Sequence, residues 1–235
     1  MSTLIFDIET IGEDFDSLDE TTQHQLTRWI RETSASEDEY ENALESVKEG
    51  MGLSPLTGEI VAIGVLDADK NKGAVFYQSP GTKEKETEEN GIKFKPMGEK
   101  EMLEAFWDGV QEYDEVVSFN GRMFDAPFVA VRSAVHSVRP SCDLLSNRYV
   151  SLQRGVKHID LRDQLSFYGA TRRPGSLHLW CRALGIESPK AGGVSGDDVS
   201  ELFNTKHYLD IARYNVGDLR ATKELYEKWR DFLRF

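Results

Sequence analysis

Short apolar segments of strand length alternate with amphipathic segments of helix length along most of this chain. Residues 59–66 and 74–78 have the pattern of two strands joined by a turn-rich segment. Farther along, strands and helices alternate, which is typical of a sheet covered by helices. The pattern predicts one α/β domain across residues 1–235, with a mixed β-sheet flanked by helices. Predicted strands cover residues 3–8, 59–66, 74–78 and 115–119, and predicted helices cover residues 102–110, 127–138, 176–184 and 205–232.

Residues 11–56 interrupt this pattern with a strongly acidic segment. Leu26, Trp29 and Ile30 predict a first short helix, and the capping box formed by Ser36 and Glu39 predicts the start of a second. Between residues 13 and 50 there are twelve acidic and three basic side chains. We therefore expect an acidic helical insertion that packs over an edge of the main fold. Its charges would face solvent or a protein partner, or would limit the access of duplex.

Two further segments are predicted to be loops, and residues 140–173 are harder to assign. Residues 79–98 are charged and include Pro80, Gly81, Gly91 and Pro96, so a mobile loop is expected. Residues 188–200 predict a Gly-rich loop, and a short extended piece is expected around residues 158–161. Gly185 predicts the end of the helix over residues 176–184, because glycine commonly follows the last helical turn.

Composition excludes several classes of protein. The longest apolar run, residues 60–66, is far shorter than the roughly 20 residues that a membrane-spanning helix needs. Asp7 follows only a few apolar residues, so no signal-peptide core is present at the start of the sequence. Two cysteines, Cys142 and Cys181, can build neither a disulfide framework nor a zinc site of their own. We therefore expect a cytoplasmic protein.

Acidic side chains occur at three positions of the predicted elements that could converge. Asp7 and Glu9 close the first strand, and because strand side chains alternate, both point to the same side of the sheet. Asp125 follows the strand over residues 115–119 and opens a helix. Tyr214 and Asp218 are four residues apart and therefore share one face of the terminal helix. Each position also has an ordinary explanation without a functional role. The first could be a surface pair of acids, the second a helix N-cap, and the third an exposed pair one turn apart.

Three motifs occur in order along the chain. They are FDIET at residues 6–10, FNGRMFDAPF at residues 119–128 and YNVGD at residues 214–218. With these motifs the chain resembles the DEDD superfamily of 3′→5′ exonucleases in its tyrosine variant, above all the proofreading domains of family B DNA polymerases and their stand-alone relatives. The segment SLHLWCRALGI at residues 176–186 is also similar to the helix before the third motif in that family. The resemblance covers residues 1–10 and 59–235, and residues 11–56 depart from it.

The resemblance implies a ribonuclease H-like fold and phosphodiester hydrolysis by a two-metal mechanism. Two divalent cations, Mg²⁺ or Mn²⁺, would be the cofactors, and carboxylate oxygens are the ligands that such hard ions prefer. By the family pattern, Asp7 would bridge both ions. Glu9 and Asp218 would complete the first site, and Asp125 would hold the second, mainly through water. Tyr214 would orient the attacking water, and the metals would do most of its deprotonation because a phenol with a pKa of about 10 is a poor base.

Charge is distributed unevenly along the chain. The net charge is −13, which by itself argues against a nucleic-acid partner. Residues 118–182 nevertheless hold ten basic and four acidic side chains, a surplus of six positive charges. This basic middle is compatible with a face that binds phosphates and equally with ordinary solvated arginines.

Substrate contacts are expected close to the motifs. Aromatic rings stack on bases without regard to sequence, so Phe124 and Phe6 could contact a terminal base. A core position is favoured for Phe6, whereas for Phe124 the two interpretations are equal. The two consecutive arginines of the loop before residue 174 could contact phosphates or simply be solvated. The candidate substrate-binding residues are Thr10, Asn120, Phe124, Arg172 and Arg173.

The resemblance favours a 3′→5′ exonuclease that acts on single-stranded DNA or on frayed 3′ ends. An exoribonuclease with the same site is the first alternative, because nothing in the sequence shows how a 2′-hydroxyl would be recognised. A non-catalytic module that binds nucleic acid or a protein partner is the second alternative, and the presence of all five site residues counts against it. A polymerase or a repair complex is a candidate protein partner, and no membrane partner is expected.

Overall fold

A single mixed β-sheet forms the centre of the molecule. The computed structural model describes residues 2–188 and 196–234, and within them seven strands pair in the order β4-β5-β3-β2-β1-β6-β7. Strand β1 pairs antiparallel with β2 and parallel with β6, which confirms the predicted mixed sheet. The strands are β1 (Thr3–Gly12), β2 (Gly58–Asp67), β3 (Lys72–Tyr77), β4 (Thr87–Glu89), β5 (Ile92–Pro96), β6 (Glu115–Ser118) and β7 (Lys157–Asp160).

Helices cover both faces of this sheet. None of the helices in the described part of the chain is long and apolar enough to cross a membrane. The helices are α1 (Glu20–Thr33), α2 (Glu37–Gly50), α3 (Glu99–Val110), α4 (Asp125–Val135), α5 (Leu161–Leu165), α6 (Leu177–Leu184), α7 (Val199–Asn204) and α8 (Tyr208–Phe232).

Alternation along β1 divides the core into two layers. Ile5 points to the layer formed with α5, α6, α7 and α8, whereas Leu4, Phe6 and Ile8 point to the layer formed with α3 and α4. The long helix α8 lies across β1, β2 and β3. An α/β domain with helices on both faces of a mixed sheet is therefore confirmed, and α8 is the helix that faces the middle of β1.

The first strand is longer than the sequence predicts. β1 runs to Gly12 instead of ending near Ile8, because residues 10–12 continue to pair with β2 after a shift in register between Glu9 and Thr10. Asp7 and Glu9 therefore lie within the strand and not at its end. Their predicted orientation to one side of the sheet is correct, since both side chains face α8.

The prediction of a mobile loop over residues 79–98 is wrong for its second half. This half forms the hairpin of β4 and β5, and β5 adds to the edge of the sheet beside β3. Ile92 and Phe94 are both buried, so alternate side chains of β5 enter the core. The hairpin turns at Asn90 and Gly91, whose φ angles of 50° and 80° match the left-handed turn for which Asn-Gly is the usual sequence.

The acidic segment connects β1 to β2, its antiparallel neighbour in the sheet. Gly12 at the end of β1 pairs with Gly58 at the start of β2, so the chain leaves the sheet after β1 and returns beside its point of departure. The helices α1 and α2 lie where the sequence predicts them. The side chain of Ser36 accepts a hydrogen bond from the N–H of Glu39 at 3.2 Å, as the capping box requires. The side chains of α2 are all at least partly exposed, which leaves its acidic groups in solvent.

Several predicted helix ends need correction. α4 begins at Asp125, and its N-cap is Phe124, so Asp125 is not the N-cap that the sequence suggested. Residues 199–204 form α7 and α8 begins only at Tyr208, instead of one helix from residue 205. Gly185 ends α6 as predicted, with a φ of 70°. Of the predicted loop over residues 188–200, residues 189–195 lie outside the described part of the chain.

Candidate active site

Three carboxylates from β1 and α8 lie together on the α8 face of the sheet. One carboxylate oxygen each from Asp7, Glu9 and Asp218 can be chosen so that all three lie within 4.8 Å of one another. Glu9 is buried, whereas Asp7 and Asp218 are partly exposed. The group is therefore fixed by the sheet on one side and open to solvent on the other.

Asp125 joins this group from the start of α4. Its carboxylate accepts a hydrogen bond of 3.1 Å from the N–H of Ile8, the residue between the two acids of β1. Gly121 lets the loop before α4 approach closely, because a Cβ at this position would lie 2.1 Å from Oγ of Ser118. The second motif thus reaches β1 through a tight turn and a backbone hydrogen bond.

The electrostatics of the group are unfavourable in the absence of a cation. Burial raises the pKa of Asp7 and the pKa of Glu9 well above their ordinary ranges, and repulsion from the neighbouring carboxylates raises both further. Burial also raises the pKa of Asp125 to about 7. Among the described residues, no lysine or arginine forms an ion pair with Asp7, Glu9 or Asp125. Buried acids without a compensating side chain fit a site for hard divalent cations.

Tyr214 lies one helical turn before Asp218 on α8. The phenol is half-buried and lies near the carboxylates of Asp218, Glu9 and Asp7. Burial raises the pKa of the Tyr214 phenol, and the acids at positions 218, 9 and 7 raise it further. Tyr214 therefore keeps its proton at neutral pH and can donate a hydrogen bond.

One residue of the third motif was missed by sequence reasoning. Asn215 is fully buried, and its amide nitrogen donates to Asp7 at 2.8 Å and to Glu9 at 3.2 Å. A signal was present, because this polar residue lies on the apolar stripe of α8 one turn from Ile211 and one turn from Leu219. A polar side chain on a buried stripe needs partners, but the sequence alone does not name them.

Asn120 and Thr10 already have structural partners. Asn120 adopts a left-handed conformation with a φ of 65°, and its side-chain oxygen accepts from Arg162 at 2.5 Å. The hydroxyl of Thr10 donates to the carbonyl of Gly52 at 2.7 Å, so it ties β1 to the end of the acidic segment. Both side chains hold local structure, and a role in substrate binding stays a prediction.

The two aromatic candidates differ in exposure. Phe6 is fully buried, with its ring centroid 5.2 Å from that of Phe106, so it is a core residue and not a stacking platform. Phe124 is partly exposed and packs against Phe128 with a centroid distance of 5.4 Å. Of the two, only Phe124 has surface that a base could reach.

Arg172 and Arg173 line a cavity of about 560 Å³ beside the second motif. Both are exposed and make no hydrogen bond or ion pair with any described residue. Their loop is tied down at Pro174, whose carbonyl accepts from the Trp180 indole at 2.6 Å. The cavity is lined by Phe119, Asn120, Arg162, Arg172, Arg173, Pro174, Gly175, Ser176 and Leu177.

The mixed sheet of seven strands flanked by helices is a ribonuclease H-like fold. Residues 56–232 match the family described as "Predicted 3'-5' exonuclease related to the exonuclease domain of PolB". The match covers most of the chain, and the chain belongs to this family. The matched residues begin after β1, so Asp7 and Glu9 lie outside them.

A solved structure with the same fold is the family B DNA polymerase from the hyperthermophilic archaeon Pyrobaculum calidifontis. The two share 20% sequence identity with a TM-score of 0.58, over 99% of this chain and 25% of the polymerase chain. The chain thus spans about a quarter of the length of the polymerase it matches. No curated protein matches this chain at a significant level.

Proposed function

We propose that this protein is a metal-dependent 3′→5′ exonuclease that shortens single-stranded DNA or frayed 3′ ends. Membership of the exonuclease family supports the general activity. The observation that carries the proposal is the meeting of Asp7, Glu9 and Asp218, with Asp125 bound to the backbone of the same strand. An acid group of this kind costs stability unless a cation occupies it, so its presence favours a role in metal-dependent chemistry.

The four carboxylates would hold two divalent cations, Mg²⁺ or Mn²⁺. Asp7 would serve both ions, Glu9 and Asp218 would bind the first, and Asp125 would bind the second. Such ions, when bound, lower the pKa of a coordinated water and neutralise charge that develops on the phosphate. The all-oxygen ligand set matches the preference of magnesium and manganese, and no thiol or imidazole is needed.

Tyr214 would position the attacking water and not deprotonate it. Its phenol is protonated at neutral pH because burial and nearby acids raise its pKa. A phenol in this state donates a hydrogen bond but is a poor proton acceptor. The spacing of one helical turn supports this role, since it places the ring next to Asp218, one of the proposed metal ligands.

The single strand would run through the cavity beside Asn120. Arg172 and Arg173 have no partners among the described residues, so their charges are available for phosphates. The exposed part of Phe124 could stack on the terminal base. The acidic segment between β1 and β2 would repel a phosphate backbone, which favours one strand in the cavity over a wide duplex.

A labelled oligonucleotide tests this function and its polarity. A strand labelled at its 5′ end should give a ladder of products shortened from the 3′ end with Mg²⁺ or Mn²⁺, and no products with EDTA. Asp7→Asn should abolish the ladder, whereas Asp108→Asn, the same change on the exposed side of α3, should not. The absence of a ladder with either cation, or its persistence in Asp7→Asn, would contradict the proposal.

Parallel substrates separate the alternatives. Faster shortening of RNA than of DNA would favour an exoribonuclease with the same site. Salt-sensitive binding of oligonucleotides without any cleavage would favour a non-catalytic binding module. Duplex DNA with blunt ends should be shortened more slowly than a single strand, since only frayed ends would enter the cavity.

A further inference from the structure

Asn215 is placed between the helix and the strand that carry the proposed metal ligands. It lies on α8 three residues before Asp218, and its side chain is fully buried against β1. Its amide nitrogen is the one described side-chain donor that hydrogen-bonds both Asp7 and Glu9. Its position makes it a direct link between the two acids of the first motif.

The two hydrogen bonds of Asn215 fix one oxygen of each carboxylate. The amide nitrogen is 2.8 Å from Oδ2 of Asp7 and 3.2 Å from Oε1 of Glu9. An amide NH₂ group has two hydrogens, and these two acceptors use both of them. A reversed amide would place its own oxygen against two carboxylate oxygens, so the observed orientation is the favourable one.

The other end of the amide has no hydrogen-bond partner among the residues that the structure describes. Oδ1 of Asn215 is buried and unpaired, and a buried polar atom without a partner is destabilising. The oxygen lies over Gly64, which pairs with Asp7 across β1 and β2. A Cβ at Gly64 would lie 1.8 Å from this oxygen, so β2 has room for the amide only because residue 64 is glycine.

An apolar side chain at position 215 would avoid the unpaired oxygen, so the stability of the fold alone does not account for an asparagine here. We propose that Asn215 is a positioning residue that holds Asp7 and Glu9 in the arrangement needed to bind divalent cations, and that Gly64 provides the space for it. This inference rests on the proposed metal-dependent function. Without the amide, mutual repulsion would turn the two carboxylates away from each other. Loss of such a supporting hydrogen bond typically weakens metal affinity by about 10- to 100-fold.

Calorimetric titration with Mn²⁺ in the absence of nucleic acid tests this role. Asn215→Ala should raise the Kd for Mn²⁺ by about 10- to 100-fold. Cleavage by this variant should return to near the wild-type kcat at saturating Mn²⁺, because Asn215 would not touch the substrate. Thr222→Ala is the matched control, since Thr222 is also a buried polar residue of α8 but lies two turns away. It should leave the Kd for Mn²⁺ unchanged even if it lowers the melting temperature.

Gly64→Ala provides an independent perturbation, because it leaves every proposed ligand and Asn215 itself in the sequence. The added methyl group should displace the amide and weaken Mn²⁺ binding as Asn215→Ala does. In the double variant the methyl group has no amide to displace, and the nearest other atom, Cδ1 of Leu219 at 2.7 Å, is the end of a flexible side chain. Its Kd should therefore equal that of Asn215→Ala alone and should not show the product of the two effects.

The outcomes separate this inference from the proposed function. If Asn215→Ala and Gly64→Ala bind Mn²⁺ as tightly as the wild type while Asp7→Asn does not bind it, the positioning role is wrong and the metal site stands. Activity of Asn215→Ala that saturating Mn²⁺ does not restore would also overturn the positioning role. If the wild type binds no Mn²⁺ and cleaves nothing, the proposed function and this inference both fail.

Discussion

Neutralising Asp125 should stabilise the metal-free protein at high pH. Burial raises the pKa of this carboxyl to about 7, with added repulsion from Asp160 and Asp218, while the N–H of Ile8 acts in the opposite direction. In the unfolded chain the pKa of an aspartate is about 3.9. The folded protein therefore holds a proton on Asp125 over a range of pH in which the unfolded chain has already released it.

The sign and size of the effect follow from these two pKa values. Between about pH 4 and pH 7 the folded state binds more protons than the unfolded state, so stability falls as the pH rises through this window. Each tenfold difference in proton affinity corresponds to about 1.4 kcal/mol. At pH 8 the ionised Asp125 should thus cost the fold up to about 4 kcal/mol, at pH 5 about 1.5 kcal/mol, and near pH 4 almost nothing.

Asn is close in shape to a protonated Asp and can accept the same hydrogen bond from Ile8. Asp125→Asn should therefore raise the free energy of unfolding at pH 8 by up to about 4 kcal/mol, and the gain should shrink toward zero near pH 4. Urea unfolding with EDTA, followed by tryptophan fluorescence at both pH values, measures this difference. Asp108→Asn on the exposed side of α3 serves as the control and should change little at either pH.

Two results would refute this reasoning. One is an Asp125→Asn protein that is less stable than the wild type at pH 8 without metal. The other is a gain that does not depend on pH, since then a change in packing and not a change in proton affinity would be its cause. With Mn²⁺ in excess the wild type should be more stable than Asp125→Asn, because a cation that binds only the folded state stabilises the wild type more.

The remaining predictions concern the phenol, the arginines and the pH dependence of metal binding. Tyr214→Phe should lower the rate constant of cleavage in single-turnover assays by about 100-fold. The Mn²⁺ affinity should change little, as expected for a residue that positions water. Replacing Arg172 and Arg173 together by Ala should weaken the binding of single strands, as measured by fluorescence anisotropy. The slope of log K against the logarithm of the salt concentration should become less steep by up to about two. Calorimetry should show tighter Mn²⁺ binding at pH 8 than at pH 6, because the raised pKa values of the carboxyls mean that protons must leave before the ion binds.

The sequence was sufficient for the parts of the fold that depend on local periodicity. Alternation in β1 correctly places Asp7 and Glu9 on one side, and the helical spacing of Tyr214 and Asp218 correctly places them one turn apart. The length of β1 could not be predicted in the same way. Residues 10–12 stay in the sheet because they pair with the start of β2 after a register shift, and that pairing depends on residues almost fifty positions away.

Two errors have different physical origins. The hairpin of β4 and β5 was predictable, since Asn90 and Gly91 are a strong turn signal, but the many charged residues on its exposed side obscured the alternation of Ile92 and Phe94. The contacts of Asn215 were not predictable from local sequence. They depend on the packing of α8 across β1 and β2, which brings residues more than two hundred positions apart into hydrogen-bond distance.

The neutral amide at position 215 is consistent with the proposed metal site, because it leaves the charge of the carboxylates for cations. A lysine or arginine there would compensate the charges of Asp7 and Glu9 and would compete with a divalent ion for the same oxygens. An asparagine orients the carboxylates without cancelling their charge. The nearby guanidiniums have other partners, since Arg162 binds Asn120 and Arg122 binds the carbonyls of residues 144–146. The negative charge of the proposed site is thereby left for metal ions, while Arg172 and Arg173, which have no partner among the described residues, would be available for phosphates.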